Sequence, residues 1–147
     1  CPAVSSPRIE KVDATLTAWE AGTLATDELP WEDWIYQERY RFLSNLADNT
    51  TAERMAELDA AWGIGATGNN EVLFAWMEQA VRSHYSPTYP RMEQFLIEVG
   101  RRKFLTPLYR AMKETDQMDM ARDIYGKARG GYHAVATGTM DELLDWK

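Results

Sequence analysis

The chain has 147 residues, of which 23 are Asp or Glu and 16 are Lys or Arg, so its formal net charge is −7. This acidic balance argues against partners such as nucleic acid and anionic membranes, because both are bound through clustered Lys and Arg. No stretch approaches the run of about 18 apolar residues that a membrane-spanning helix needs. The single cysteine, Cys1, cannot form an internal disulfide or a cysteine-rich zinc site. We expect one domain over residues 1–147, with its own hydrophobic core.

Apolar residues recur every three to four positions through most of the chain, whereas strict alternation is nearly absent. This spacing predicts helices and no confident strand. Capping residues, prolines and glycines then divide the chain into segments. The first three predicted helices run from Pro7 to Gly22, over residues 31–47, and from Thr50 or Thr51 to Gly63.

The glycine-rich segment GIGATGNN follows the third helix. A phosphate-binding loop would need a preceding strand and the lysine of the GxxxxGK[ST] motif, and neither is present. We therefore interpret the segment as a loop between helices. Asn69 or Asn70 is expected to cap a strongly amphipathic fourth helix, EVLFAWMEQAVRSHY. The prolines of the following SPTYP segment end that helix, since they cannot lie in a helix interior.

The last part of the chain predicts four more helices. The fifth covers residues 91–99 and ends at Gly100, and the sixth is predicted to begin with Thr106 as its N-cap and Pro107 in its first turn. Two shorter helices follow, within DQMDMARDIYGKARGG and TMDELLDW. Because short connections favour antiparallel neighbours, the expected fold class is all-α, with two layers of antiparallel helices in an irregular α–α superhelix similar to armadillo and HEAT repeats.

The sequence shows no catalytic centre of its own. The zinc motif HExxH and the nucleophile motif GxSxG are both absent. The two histidines, His84 and His133, are far apart, and neither has a second ligand at helical spacing, so we interpret both as structural or surface residues. Acidic clusters such as WED are typical of first helical turns. We therefore predict no catalytic residue and no metal site in this chain.

The segment GRRKFLTPLY, residues 100–109, concentrates three cations in an acidic chain. One interpretation is that they lie at the C-terminus of the fifth helix, where the helix dipole favours positive charge. The other is a docking point for an anion, in which Arg101 and Lys103 converge, Arg102 points away and Phe104 anchors the turn to the core. An arginine fork beside a lysine ammonium suits a carboxylate. The residues alone leave both interpretations open.

Three segments taken together resemble a known family. NNEVLFAWMEQAVRSHY, GRRKFLTPLYRAMKE and YHAVATGTMDELL occur in the order and spacing of the C-terminal helical domain of leukotriene A4 hydrolase-type M1 aminopeptidases, with the best similarity over residues 55–144. The resemblance implies a two-layered helical domain that closes one side of an active-site cleft. It also implies a partner, a separate zinc peptidase domain of the same parent protein, which would hold the Zn²⁺ and the HExxH motif.

The resemblance assigns site residues as well. Arg101 and Lys103 occupy the basic positions of the family's G-R-x-K turn, which implies that they bind the free carboxylate of a short peptide substrate. Arg102 falls at the variable position and receives no role. The fragment alone would not be catalytic, whereas its parent would be a zinc metallo-aminopeptidase; a cytoplasmic location is favoured and export is left open. The alternative is a free-standing helical-repeat adaptor that binds a partner protein on a concave face.

Overall fold

The computed structural model describes residues 7–146, so Cys1 lies outside the described residues. Within that range the chain forms helices and turns and no strand, which confirms the all-α prediction. None of the described helices is long and apolar enough to cross a membrane. The α-helices are, in chain order, α1 (Pro7–Glu20), α2 (Tyr36–Ser44), α3 (Ala52–Trp62), α4 (Asn70–Arg82), α5 (Tyr89–Glu98), α6 (Arg102–Glu114), α7 (Met118–Ala128) and α8 (Ala134–Leu143).

The even-numbered helices form one layer, in which α2 packs on α4, α4 on α6 and α6 on α8. Side chains show that α4 and α6 run in the same direction. Glu71 and Lys103 form an ion pair between the starts of the two helices, and Arg82 and Glu114 form one between their ends. The starts of α4 and α6 therefore lie side by side.

The other two helices of this layer follow the same direction. Lys113 Nζ, near the end of α6, donates to the Leu143 carbonyl at the end of α8, at 3.0 Å. Trp31, just before α2, and Val72, in the first turn of α4, line the same small cavity of about 130 Å³. The starts of α2, α4, α6 and α8 thus share one side of the molecule, which we call the N-terminal edge.

The second layer runs in the opposite direction. Tyr89 at the start of α5 donates its hydroxyl to Gln117 Oε1 just before α7, at 2.8 Å, so α5 and α7 begin together. Gln117 Nε2 in turn donates to the carbonyl of Val81 at the end of α4, at 3.0 Å. Since the start of α7 meets the end of α4, the two layers are antiparallel. The predicted two-layered superhelix is confirmed.

One hydrophobic core joins the layers, and aromatic side chains fill much of it. Trp19, Trp31 and Trp34 surround Phe42 with ring centroids 5.4–6.1 Å apart. Trp76 in α4 is fully buried, and its Nε1 donates to a threonine hydroxyl at the start of α5, at 3.0 Å. The high tryptophan content therefore reflects aromatic packing between elements.

The start and stop signals of α3 and α4 are where the sequence predicts them. Thr51 Oγ1 accepts from the Arg54 N–H at 3.2 Å, and Gly63 ends α3 in the left-handed conformation, with φ of 58°. Asn69 Oδ1 accepts from the N–H groups of residues 71 and 72, at 2.9 and 3.1 Å. Each signal is a local hydrogen bond or dihedral angle, which the adjacent sequence specifies directly.

The predicted continuous helix over residues 31–47 is wrong. Residues 31–33 form a 3₁₀ turn, Trp34 and Ile35 are extended with ψ of 136° and 169°, and α2 begins only after them. The buried carboxylate of Glu38 accepts from the Ile35 N–H at 2.9 Å and fixes the break. A turn that buries a tryptophan, followed by a short helix, produces the same apolar spacing as one long helix.

The predicted start of α6 is also wrong. The helix begins at Arg102 with Arg101 as its N-cap residue, so Thr106 caps nothing and Pro107 lies inside the helix. Proline has no N–H to bond to the carbonyl four residues earlier, which makes this an unfavourable interior position. The burial of Phe104, which is 2% exposed, makes the earlier turn part of the apolar face of α6. Core packing therefore outweighs the local preference of proline.

Candidate anion-binding site

The three cations of GRRKFLTPLY lie at the N-terminus of α6. Arg101, Arg102 and Lys103 are exposed and, together with Thr106 and Pro107, line an open groove of about 580 Å³, here called the cationic groove. The N-terminal end of a helix carries partial positive charge, so a cation there is disfavoured by about 0.3–1 kcal/mol. The interpretation of these residues as favourable C-terminal charges of the fifth helix is therefore wrong.

The start of α6 also has no side chain that caps its backbone N–H groups. In α3, α4 and α8 a side chain accepts a hydrogen bond from the first turn, whereas α6 has no such acceptor. The first backbone bonds of α6 run from the N–H groups of Phe104 and Leu105 to the carbonyl of Arg101. The N–H groups of Arg102 and Lys103 have no partner among residues 7–146. Free N–H groups beside cations suit an anion.

Phe104 forms the floor beneath two of the cations. Its ring centroid lies 5.9 Å from Arg101 Cζ and 4.9 Å from Lys103 Nζ, both within the range of cation–π contact. The Phe104 ring packs against Phe74 at 5.2 Å and Phe95 at 5.6 Å between ring centroids. The structure thus brings Arg101 and Lys103 to one buried ring that is held by α4 and α5.

Lys103 has a partner inside the chain. Its Nζ donates to Glu71 Oε1 at 2.6 Å, and the two side chains are 51% and 40% exposed. Glu71 lies in the first turn of α4, where the helix dipole favours a carboxylate. Arg101 and Arg102, by contrast, form no ion pair within residues 7–146. The unpaired positive charge of the cationic groove therefore belongs to the two arginines.

Sequence reasoning missed Glu71. The segment NNE marks the start of α4, yet nothing in it indicates that α4 and α6 begin side by side. Glu71 and Lys103 are 32 positions apart, so only the packing of the two helices brings them together.

Neither histidine belongs to this site. His133 is the N-cap of α8, where its Nδ1 accepts from the Val135 N–H at 3.2 Å. His84 is exposed and follows the end of α4 with a left-handed φ of 57°. Over the described range, 7–146, no three His, Cys, Asp or Glu side chains are grouped so that they could hold a metal ion. The donor set of these residues therefore does not fit a zinc ion.

Comparison with known proteins shows the family to which this chain belongs. Residues 34–144 match the family described as leukotriene A4 hydrolase, C-terminal, which is more than half of the chain. The chain therefore belongs to the leukotriene A4 hydrolase C-terminal domain family of M1 aminopeptidases. Glu71, Arg101 and Lys103 all lie within the matched segment.

Several relatives are named leucine aminopeptidase 2. The one from Pyricularia oryzae is 26% identical over 146 residues, which cover 97% of this chain and 24% of that protein. The one from Neurospora crassa is 28% identical over 129 residues, covering 86% of this chain and 19% of the relative. The one from Kluyveromyces lactis is 35% identical over 81 residues, 55% of this chain and 12% of the relative. The chain thus spans a quarter or less of the length of these relatives.

Proposed function

We propose that this chain is the C-terminal domain of a zinc aminopeptidase, and that it walls the active-site cleft and binds the free carboxylate of a short peptide substrate. The family match and the names of the relatives support an aminopeptidase, and the much greater length of those relatives leaves room for a separate peptidase domain. That domain would hold the zinc ion, because residues 7–146 offer no ligand cluster for it. This domain would contribute binding groups and no catalytic residue.

The observation that carries the proposal is the placement of Arg101 and Lys103 over one buried ring at the uncapped start of α6. The guanidinium of Arg101 can donate two parallel hydrogen bonds to a carboxylate, and the Lys103 ammonium adds a compact charge beside it. Hydrogen bonds of this charge-assisted kind contribute about 1.5–3 kcal/mol each. Together they would hold a peptide by its C-terminal end.

Anchoring at this end affects the reaction as well as binding. A peptide held by its carboxylate has its scissile bond at a fixed distance from the anchor, and such positioning lowers the barrier to reaction. The distance also limits length, so the domain would favour di- and tripeptides over long chains. Interactions remote from the reacting bond thereby contribute to kcat/KM.

Exposed apolar side chains near the groove support a neighbouring domain. Ile35 and Tyr36 are each 48% exposed at the start of α2, and Val135 is 55% exposed at the start of α8. All three lie on the N-terminal edge, on either side of the cationic groove. Exposed apolar residues around a polar centre are typical of a surface that another protein part covers. The peptidase domain would dock along this edge.

Replacement of Arg101 in the full-length protein tests the carboxylate anchor. Arg101→Ala is expected to lower kcat/KM for tripeptides by about 10- to 100-fold, the loss of one charge-assisted contact or more. The kcat/KM for an amino-acid anilide, which has no peptide carboxylate, should change by less than about threefold. Arg110→Ala, an exposed arginine farther along α6, is the matched control and should leave both rates unchanged. Equal losses on both substrates for Arg101→Ala would contradict the anchoring role.

The encoding reading frame tests the larger claim about the parent protein. An upstream zinc-peptidase sequence with an HExxH motif supports the proposal. A natural start codon near residue 1 would instead support the alternative, a free-standing helical-repeat adaptor.

A further inference from the structure

We propose that Glu71 is an internal competitor of the substrate: its carboxylate occupies Lys103 until a peptide carboxylate displaces it, and so it weakens the binding of peptides with a free C-terminus. The inference rests on the proposed function, because it requires that Lys103 meets the substrate carboxylate. Glu71 touches no reacting group and acts only through Lys103.

The contact between Glu71 and Lys103 is of the same kind as the one proposed for the substrate. Lys103 Nζ lies 2.6 Å from a carboxylate oxygen of Glu71, at the edge of the cationic groove. A second carboxylate that approaches this ammonium must share it with Glu71. Glu71 therefore opposes the binding of a peptide carboxylate by competing for this ammonium.

Loss of its contact with Lys103 costs Glu71 little free energy. Its side chain is 40% exposed, so water can replace the ammonium. It also keeps the favourable dipole of α4 after Lys103 leaves. Lys103 itself lies at the unfavourable end of the α6 dipole, so any carboxylate stabilises it there. A peptide carboxylate can therefore replace Glu71 at Lys103 at a small cost in free energy.

Removal of the Glu71 charge should strengthen substrate binding. In the full-length protein, Glu71→Gln is expected to lower KM for a tripeptide by about two- to fivefold, the range that exposed ion pairs span, with little change in kcat. The same tripeptide with a C-terminal amide should show no change. Glu71→Asp keeps the negative charge and should not lower KM.

The chain offers a matched control. Lys127 Nζ in α7 and Glu93 Oε1 in α5 form a pair of similar exposure at 2.7 Å, and neither residue lines the cationic groove. Glu93→Gln should leave KM for both peptides unchanged. In a Lys103→Met background the gain from Glu71→Gln should disappear, because Glu71 would then have no ammonium to occupy.

The outcomes separate this inference from the function on which it rests. If Glu71→Gln leaves KM for the tripeptide unchanged or raises it, while Arg101→Ala still loses activity on the tripeptide alone, the competitor role is wrong and the anchoring function stands. A gain that persists with Lys103→Met also overturns the inference. If Arg101→Ala loses activity equally on tripeptide and anilide, the proposed function fails and the inference fails with it.

Discussion

At the scale of single residues, two buried tyrosines tie α6 to the segment before α8. The Tyr132 hydroxyl donates to the Leu96 carbonyl at 2.6 Å, which uses its only proton. Tyr109 must therefore donate in the 2.9 Å contact between the two hydroxyl oxygens. Burial raises the pKa of Tyr132 to about 12 and also raises the pKa of Tyr109. Both hydroxyls consequently stay protonated and hydrogen-bonded at neutral pH.

The direction of these two hydrogen bonds predicts unequal effects of two similar substitutions. Tyr132→Phe leaves the Tyr109 hydroxyl and the Leu96 carbonyl without partners, so it should lower the free energy of unfolding by about 1–3 kcal/mol. Tyr109→Phe removes one donor and leaves the bond to Leu96 intact, at a cost of about 0.5–1.5 kcal/mol. Urea unfolding at pH 7 measures both. A larger cost for Tyr109→Phe would reverse the assigned direction.

An acidic residue in α8 gives the chain a pH-dependent contact. Arg129 donates to Asp141 through Nε at 3.0 Å and Nη2 at 2.8 Å, and the Tyr125 hydroxyl donates as well. These bonds, with that of Arg129 the strongest, lower the pKa of Asp141 to about 2. An unfolded aspartate has a pKa of about 3.9. The contact therefore stabilises the fold above about pH 4, and this contribution is lost as the pH falls through about 2.

Asp141→Asn should show this dependence in thermal melts. At pH 6 the variant is expected to have a lower Tm than the unchanged chain, because the charged contacts to Arg129 are lost. The difference should shrink between about pH 4 and pH 2, where the native carboxyl takes up a proton. A difference in Tm that stays constant down to pH 2 would mean that ionisation of Asp141 does not stabilise the fold.

At the scale of helices, α6 carries cations in its first turn at a cost to stability. Arg102 is exposed, has no ion-pair partner among the described residues and lies where the helix dipole disfavours it. The start of α4 is the opposite case, with Asn69 as a hydrogen-bonded cap and Glu71 in its first turn. The starts of α4 and α6 thus differ in how well their side chains suit the helix dipole. The start of α6, where the charge is unfavourable, lines the cationic groove.

Two substitutions test this difference by urea unfolding at low salt. Arg102→Gln should raise the free energy of unfolding by about 0.3–1 kcal/mol, and the gain should shrink in added NaCl as screening increases. Asn69→Ala should lower it by about 0.5–2 kcal/mol through loss of the cap. If Arg102→Gln destabilises the chain, a contact of Arg102 other than the dipole must be stabilising.

Helix boundaries were predictable where a local signal sets them. Thr51, Gly63 and Asn69 act through bonds or dihedral angles within a few residues, and the structure has each of them in its predicted place. Two of the wrong boundaries lie where burial decides, in the break before α2 and at Pro107 inside α6. A third is the start of α8, which begins at Ala134 and not within the predicted segment TMDELLDW. Periodicity and proline preference report only local energies, which the packing of Trp31 and Phe104 overrides.

At the scale of the whole molecule, the parallel course of the even-numbered helices creates the N-terminal edge. This arrangement places the cationic groove in the middle of that edge, between the exposed apolar side chains at the starts of α2 and α8. The motif around Arg101 and Lys103 could be found in the sequence because it is one short segment. The contact between Glu71 and Lys103 could not, because it depends on how α4 and α6 pack.

The most direct test of the central claim is a structure of the full-length protein with a bound short peptide that has a free C-terminus. We predict that the peptide's carboxylate oxygens lie within about 3.2 Å of the Arg101 guanidinium and of Lys103 Nζ, which is hydrogen-bond distance. The account is contradicted if that carboxylate binds elsewhere, or if an acidic residue of a neighbouring domain already occupies Arg101.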